Sequence, residues 1–167
     1  MRLLYSLLFT IVMITIASAD EKKVHIKLPL TKSLPILKNI EMDAIRLGNG
    51  PVRVHIFVDP LCPHSRDFVE MIAESEKMRK KYSYYFYLYT LKRFHSEPIV
   101  YAIYTAPDQK EAMLNVMIRD QNIEPINKPS SKIQKTVHAI DIAAKKIDVY
   151  KRPYMIMVKK PKLKRGH

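Results

Sequence analysis

The segment F-V-D-P-L-C-P-H-S-R at residues 57–66 decides the fold assignment. The β-branched run V-R-V-H-I-F-V at 52–58 leads into it and predicts a strand that is buried on both faces. Helical periodicity then begins at Pro63 and continues to about Lys80. Sites in open α/β sheets lie at the carboxyl ends of strands. The junction therefore marks a candidate site, and it carries Cys62, the only cysteine of the chain.

The predicted helix begins at Cys62, with Pro63 in its first turn. Proline is tolerated there because the first N–H groups of a helix have no intrahelical partner. Those N–H groups and the helix dipole favour a thiolate over a thiol. His64 adds a positive charge when it is protonated, and Ser65 offers a hydroxyl to the sulfur. We expect a nucleophilic Cys62 that forms mixed disulfides; the alternative is a buried, inert cysteine.

The remaining patterns predict alternating strands and helices. The other predicted strands are V-H-I-K-L at 24–28, M-D-A-I-R-L at 42–47, Y-S-Y-Y-F-Y-L-Y-T at 82–90 and R-P-Y-M-I-M-V at 152–158. Of the other predicted helices, one begins at 96–98, a second spans 107–119, and a third repeats apolar residues over 133–147. An irregular or briefly helical linker follows the first strand. This order indicates an α/β class with a central mixed sheet.

The N-terminus predicts an export signal. A basic start at Arg2 precedes a largely apolar stretch of 14 residues, L-L-Y-S-L-L-F-T-I-V-M-I-T-I, and then A-S-A at 17–19. The apolar run is shorter than the roughly 20 residues that span a bilayer, so we expect cleavage after Ala19; the alternative is an uncleaved anchor. Exported proteins meet an oxidising environment, where an unpaired cysteine is either reactive or intended for another molecule.

The formal charge of +13 restricts the partners that we expect. A charge of this size suits nucleic acid, but an export signal argues against such a partner. Weak contact with anionic envelope surfaces is one interpretation of the charge, and a solvated basic face without a dedicated partner is the other. Four histidines are scattered along the chain: His25, His55, His95 and His138. No cysteine or carboxylate cluster stands at ligand spacing, so no metal or other cofactor is predicted.

The stretch D-P-L-C-P-H-S after an apolar strand resembles the active-site segment of thioredoxin-fold proteins. The resemblance is strongest to the periplasmic Dsb-type thiol–disulfide isomerases and oxidoreductases, which show an Asp-Pro lead-in and then Cys-Pro-(His or Tyr)-Cys. The residues that match this segment are Asp59, Pro60, Cys62, Pro63 and His64. The resemblance implies a thioredoxin-like fold and a catalytic role for the cysteine.

A second match lies at R-P-Y, residues 152–154, directly before M-I-M-V. It resembles the loop of these proteins that holds a cis-proline beside the active-site cysteine. The resemblance implies that Pro153 is cis and keeps a bound peptide alongside Cys62, with Arg152 and Tyr154 completing the substrate contact. Arg152 would also place a permanent cation near the sulfur. The alternative is an ordinary trans proline that opens a strand.

The resemblance covers roughly residues 42–158 and suggests how the chain is organised. The expected parts are an export signal at 1–19, an N-terminal strand and linker at 20–41, a thioredoxin-like domain at 42–158 with a helical insertion at about 96–147, and a basic tail at 159–167. The family has a further strand and a closing helix after M-I-M-V. The tail is too short and too charged for both, so we expect a fold that lacks these C-terminal elements.

The serine in place of the family's second cysteine decides the predicted chemistry. Ser65 cannot attack a disulfide, so a two-cysteine redox cycle within one chain is excluded. Attack by Cys62 on a substrate disulfide remains, with release by a second substrate thiol or by a small thiol such as glutathione. The sequence thus predicts a periplasmic enzyme of thiol–disulfide exchange or isomerisation acting on disulfide- or thiol-containing proteins. The alternatives are a redox-inactive thioredoxin-fold binding module for envelope proteins and a homodimer linked through Cys62.

Overall fold

The computed structural model describes residues 25–158. The predicted export signal at 1–19 and the predicted basic tail at 159–167 lie outside the described residues. The strands are β1 (Ile45–Leu47), β2 (Val52–Val58), β3 (Tyr82–Leu88) and β4 (Tyr154–Val158). The helices are α1 (Leu30–Asn39), α2 (Pro63–Glu74), α3 (Glu76–Lys81), α4 (Glu97–Thr105), α5 (Gln109–Met117) and α6 (Ser131–Ile147). Within 25–158, none of these helices combines the length and the apolar character needed to cross a bilayer.

The strands form one mixed sheet in the order β1-β3-β2-β4. Strands β2 and β3 are parallel and central, and their register runs from Val52 opposite Tyr82 to Val58 opposite Leu88. The outer strands β1 and β4 are antiparallel to their neighbours. The last five residues of both central strands are buried, which explains their nearly continuous apolar sequences. The junction that carries Cys62 therefore follows directly after the end of a buried, central strand.

The helices around the sheet form one chain of contacts. Helix α6 contacts α1 and α4, α4 also contacts α5, and α5 contacts α2, which contacts α3. The side chains that fill the space between these elements are almost fully buried, among them Leu37, Ile56, Phe57, Ile72, Phe86, Ile103, Met113, Ile140 and Ile147. Helix α1 belongs to this core through Leu37 and packs against α6, so the segment before β1 is part of the folded domain rather than only a linker.

The N-terminal segment differs from its predicted structure. Residues 25–29 have no regular secondary structure, so the strand expected at 24–28 is wrong over the described residues. The alternating apolar and polar residues at 24–28 are typical of a half-buried strand, but Ile26 is 76% exposed. The edge of β3 with which such a strand could pair is already taken by β1. The linker is a full ten-residue helix because Ser33 and Leu37, four residues apart, are buried on one side of α1.

Two further boundaries also differ from the prediction. Residues Glu41–Asp43 form a 3₁₀ turn, so β1 begins at Ile45 and not at residue 42. The helix predicted over 63–80 is interrupted at Ser75, which has an extended backbone conformation. The Ser75 hydroxyl accepts the N–H of Met78 at 3.3 Å and starts α3 as its N-cap. Ser75, which lies inside the predicted helical pattern, therefore separates two helices and caps the second of them.

A buried histidine lies in the centre of the sheet. His55 on β2 is 1% exposed, its Nδ1 lies 3.0 Å from the Tyr87 hydroxyl, and its ring stacks on that of Tyr85. Burial lowers the pKa of His55 from 6.5 to about 4; the charge of Glu41 opposes this shift and that of Arg53 adds to it. The imidazole is therefore neutral in the folded protein at neutral pH.

We expect His55 to make the protein less stable in mild acid. The unfolded chain binds a proton with the ordinary pKa of 6.5 and the folded chain only with a pKa of about 4, so stability is lost as the pH falls through this window. The free energy of unfolding from urea titrations should fall by about 2 kcal/mol between pH 7 and pH 5 because of this group. His55→Gln removes this component, whereas the control His138→Gln, at an exposed position, keeps it. An unchanged pH dependence in His55→Gln would contradict the assignment.

Candidate thiol site at the start of helix α2

The backbone places Cys62 at the N-cap of α2, as the sequence predicts. A turn leads from β2 into the helix, and the N–H of Cys62 donates to the carbonyl of Asp59 at 3.1 Å. The carbonyl of Cys62 accepts the N–H groups of Ser65 and Arg66 at 2.9 and 3.0 Å, which begins the helical ladder. No side chain caps the helix, and Pro63 occupies the first turn. The thiol therefore stands at the positive end of a 12-residue helix.

The thiol is buried in spite of this position. Cys62 is a free cysteine that is 1% exposed, and Ser65 beneath it is fully buried. Pro60 in the preceding turn is also buried, whereas Pro63 and His64 are exposed. Cys62 is therefore closed to solvent in this conformation.

The hydroxyl of Ser65 supports the backbone of the turn. Its Oγ accepts the N–H of Asp59 at 3.2 Å, six residues earlier. Among residues 25–158 no hydrogen bond reaches the sulfur of Cys62. The expected donation from Ser65 to the sulfur is therefore absent, because the hydroxyl faces the end of β2.

The carboxylate of Asp59 joins three segments at the end of the sheet. It is completely buried. One oxygen accepts the N–H of Leu61 at 2.9 Å, and the other accepts the N–H of Leu91 and the Ser96 hydroxyl, the latter at 2.8 Å. Leu61 belongs to the turn before Cys62, Leu91 follows β3 and Ser96 precedes α4. A buried carboxylate is tolerated because donors satisfy it.

Arg152 holds the loop that precedes β4. The Arg152–Pro153 peptide bond is cis, as the resemblance implies. The guanidinium donates to backbone carbonyls at 2.9 to 3.4 Å and lies 3.8 Å from the centre of the Tyr89 ring; the carbonyls belong to Tyr89, Thr90, Val149 and Lys151. Its side chain is thus committed to the protein backbone, while a substrate-binding role for it remains a prediction.

The electrostatic surroundings of Arg152 link this loop to the cysteine. Burial lowers the pKa of Arg152 from its ordinary value, and interactions with Tyr89, Asp59 and Cys62 oppose that shift. Both Asp59 and Cys62 therefore lie within electrostatic range of the guanidinium. Because Tyr154 pairs with Phe57 in the sheet, the loop with Pro153 and the turn that leads to Cys62 lie at the same end of the sheet. A direct approach of Pro153 to Cys62 remains a prediction.

A groove opens beside Pro153. It has a volume of about 320 Å³, and its lining residues are His25, Lys27, Phe68, Tyr150, Lys151, Pro153, Tyr154 and Met155. Tyr154 is buried and meets the Tyr150 ring edge-on, with the ring centres 5.9 Å apart. Phe68 belongs to the helix that Cys62 caps. The groove thus connects the proline loop with α2.

Two features of the site were not predicted from the sequence. Arg66 donates to the carbonyls of Val116 and Met117 at 3.0 Å and pairs with Asp120 at 2.7 Å, which anchors α2 to the end of α5. His25 lies at the groove although it is more than 120 residues from Pro153 in the sequence. Nothing local in the sequence indicates these contacts. Within 25–158 no three histidine, cysteine, aspartate or glutamate side chains are grouped to hold a metal ion.

No protein-family model and no curated protein matches the chain. Three similar solved structures illustrate the likeness of the fold. The catalytic domain of Proteus mirabilis ScsC has a TM-score of 0.61 and 13% identity, over 75% of this chain and 85% of that one. A disulfide interchange protein from Neisseria gonorrhoeae has a TM-score of 0.52 and 20% identity, over 69% and 79%. A periplasmic thioredoxin-like protein from Salmonella enterica serovar Typhimurium has a TM-score of 0.55 and 13% identity, over 81% and 86%.

These likenesses show the fold of the chain. The central mixed sheet with flanking helices is that of thioredoxin-like proteins, and the fold class predicted from the sequence is confirmed.

Replacement of Asp59 tests how strongly the carboxylate holds the site. Asp59→Ala leaves one buried hydroxyl and two backbone N–H groups without their acceptor, so we expect the free energy of unfolding to fall by about 3 kcal/mol. Ser96→Ala removes one of the three hydrogen bonds and should cost about 1 kcal/mol. Urea denaturation at pH 7 measures both. Equal, small decreases in the free energy of unfolding of the two variants would show that the Asp59 carboxylate does not stabilise the junction.

Proposed function

We propose that the chain performs thiol–disulfide exchange through the single thiol of Cys62. The observation that carries the proposal is the position of this thiol at the N-cap of α2, where no side chain competes for the free N–H groups. Arg152 adds a positive charge within electrostatic range. Two of the similar structures are described as a disulfide interchange protein and a periplasmic thioredoxin-like protein, which favours the same chemistry.

The proposed cycle needs one thiol and no external electrons. The Cys62 thiolate attacks one sulfur of a substrate disulfide, so a Cys62–substrate disulfide forms while the substrate S–S bond breaks and its second sulfur leaves as a thiolate. Another substrate thiolate, or that of a small thiol such as glutathione, then attacks the mixed disulfide and regenerates the Cys62 thiolate. Isomerisation results when both thiolates belong to the substrate. Ser65 takes no part in the bond changes.

The neighbouring residues would position the substrate. Pro153 and Tyr154 line the groove that leads toward α2, so they are the proposed contacts for a substrate peptide. Arg152 fixes their loop through the backbone carbonyls that it binds. His64 is exposed in the first turn of α2, where its imidazole is available to the leaving thiolate as a proton donor.

Burial of the sulfur adds a conformational step to this cycle. Local opening of protein structure exposes buried groups without global unfolding. The reactive state is thus a minor, opened form of the native protein.

The location and partners follow from the sequence and from the described neighbours. The predicted signal at 1–19 and the periplasmic description of one similar structure favour the periplasm. The proposed partners are exported proteins with thiols or disulfides, together with small thiols such as glutathione. The excess of basic residues suits weak contact with anionic envelope surfaces rather than with nucleic acid. A single thiol also permits a disulfide-linked homodimer.

One observation favours a second function, a redox-inactive binding module for envelope proteins. The 1% exposure of Cys62 is typical of a cysteine that packs as a small apolar residue. In that case the groove beside Pro153 would retain its peptide ligands, and the sulfur would have no chemical role.

Replacement of Cys62 separates the two functions. In a glutathione buffer, the wild-type chain should accelerate the reactivation of a model protein with scrambled disulfides, and Cys62→Ala should reduce this to the rate of the buffer alone, since no mixed disulfide forms. The exposed variant Met42→Ala serves as a control and should retain the wild-type rate. Acceleration by Cys62→Ala equal to that of the wild type would overturn the exchange proposal and favour the binding module.

A further inference from the structure

We propose that the groove beside Pro153 selects acidic substrate segments, in which an apolar side chain is flanked by carboxylates. This inference rests on the proposed function, because it names the substrate class that the groove would present to Cys62.

The floor of the groove is apolar and partly open to solvent. Phe68 from α2 and Tyr154 and Met155 from β4 line it together with Tyr150. Met155 is 44% exposed and Tyr150 is 46% exposed. An apolar side chain that enters the groove buries these surfaces, and its removal from water stabilises the complex. The volume of about 320 Å³ accommodates one large side chain with its backbone.

The rim of the groove is basic. Lys27 and Lys151 line it from opposite ends of the described chain, and no carboxylate is among the lining residues. The Lys151 ammonium lies 5.7 Å from the centre of the Tyr150 ring, directly beside the apolar floor. Neither lysine pairs with a carboxylate within residues 25–158. Carboxylates of a ligand would therefore meet two available ammonium groups.

The N-terminal segment is fixed as one wall of the groove by His25. Its ring stacks on Tyr150 with ring centres 4.2 Å apart and an angle of 14°. Its Nδ1 lies 2.9 Å from the carboxylate of Asp148, which follows α6. These contacts hold residues 25–29 against the loop before Pro153 although the segment has no regular secondary structure. The Asp148 carboxylate is thereby occupied by His25 and is not among the residues that line the groove.

Peptide binding to the Cys62→Ser variant tests the selectivity, since a serine forms no covalent link. Fluorescence anisotropy would compare three labelled peptides with a central leucine flanked by glutamates, glutamines or lysines. We expect the glutamate peptide to bind about tenfold more tightly than the lysine peptide, the size expected of two exposed ion pairs. The combined substitutions Lys27→Glu and Lys151→Glu should abolish or invert this preference.

A matched control distinguishes the groove from the overall basic charge. Lys110→Glu and Lys132→Glu together change the net charge by the same amount, and both lysines are exposed in the first turns of α5 and α6. This control should keep the preference. Loss of the preference in the control to the same extent, or equal binding of the acidic and basic peptides to the parent, would overturn the proposal.

The binding assay and the reactivation assay test the two proposals separately, so either proposal can be contradicted without the other. A preference for the acidic peptide without accelerated reactivation would contradict the exchange function and leave the groove selective. Accelerated reactivation without a charge preference would contradict the groove assignment alone.

Discussion

The buried carboxylate of Asp59 is the interaction on which the geometry of the site depends. Its oxygens accept donors from the turn before Cys62, from the residue after β3 and from the start of α4. The backbone N–H of Asp59 donates to the hydroxyl of Ser65 in the first turn of α2. Arg152 extends this arrangement, because it binds the carbonyls of Tyr89 and Thr90, adjacent to Leu91. The cysteine and the proline loop, 90 residues apart, are thereby held at one end of the sheet.

The sequence predicts the parts of this site that depend on local patterns. The central strands are recognisable because both of their faces are buried, and the Cys-Pro junction is recognisable because proline and a helix start have specific local requirements. The R-P-Y loop is found only through the resemblance. The anchoring of α2 by Arg66 and the contacts of His25 join segments that are distant in the sequence, so no local periodicity predicts them. The acceptor role of Ser65 is local, but it depends on how the turn orients the hydroxyl. The burial of Cys62 likewise depends on the folded chain as a whole.

Two physical effects act on Cys62 in opposite ways. Its position at the N-terminus of α2 places the thiol beside backbone N–H groups that no side chain caps, whereas its 1% exposure separates it from solvent. The proposed function reconciles them by a minor, opened state of the native protein. In that account the closed state keeps an unpaired thiol from random oxidation in an oxidising compartment. In the same account, the basic groove beside Pro153 binds the substrate segment.

The most direct measurement of this account is the rate at which Cys62 reacts with a small aromatic disulfide in native protein at increasing urea concentrations below the unfolding transition. Local opening exposes little surface, so the account predicts a rate that is almost independent of urea and faster than global unfolding allows. A rate that rises with urea with the slope of global unfolding would contradict it. Cys62 would then be a core residue that reacts only in the unfolded chain.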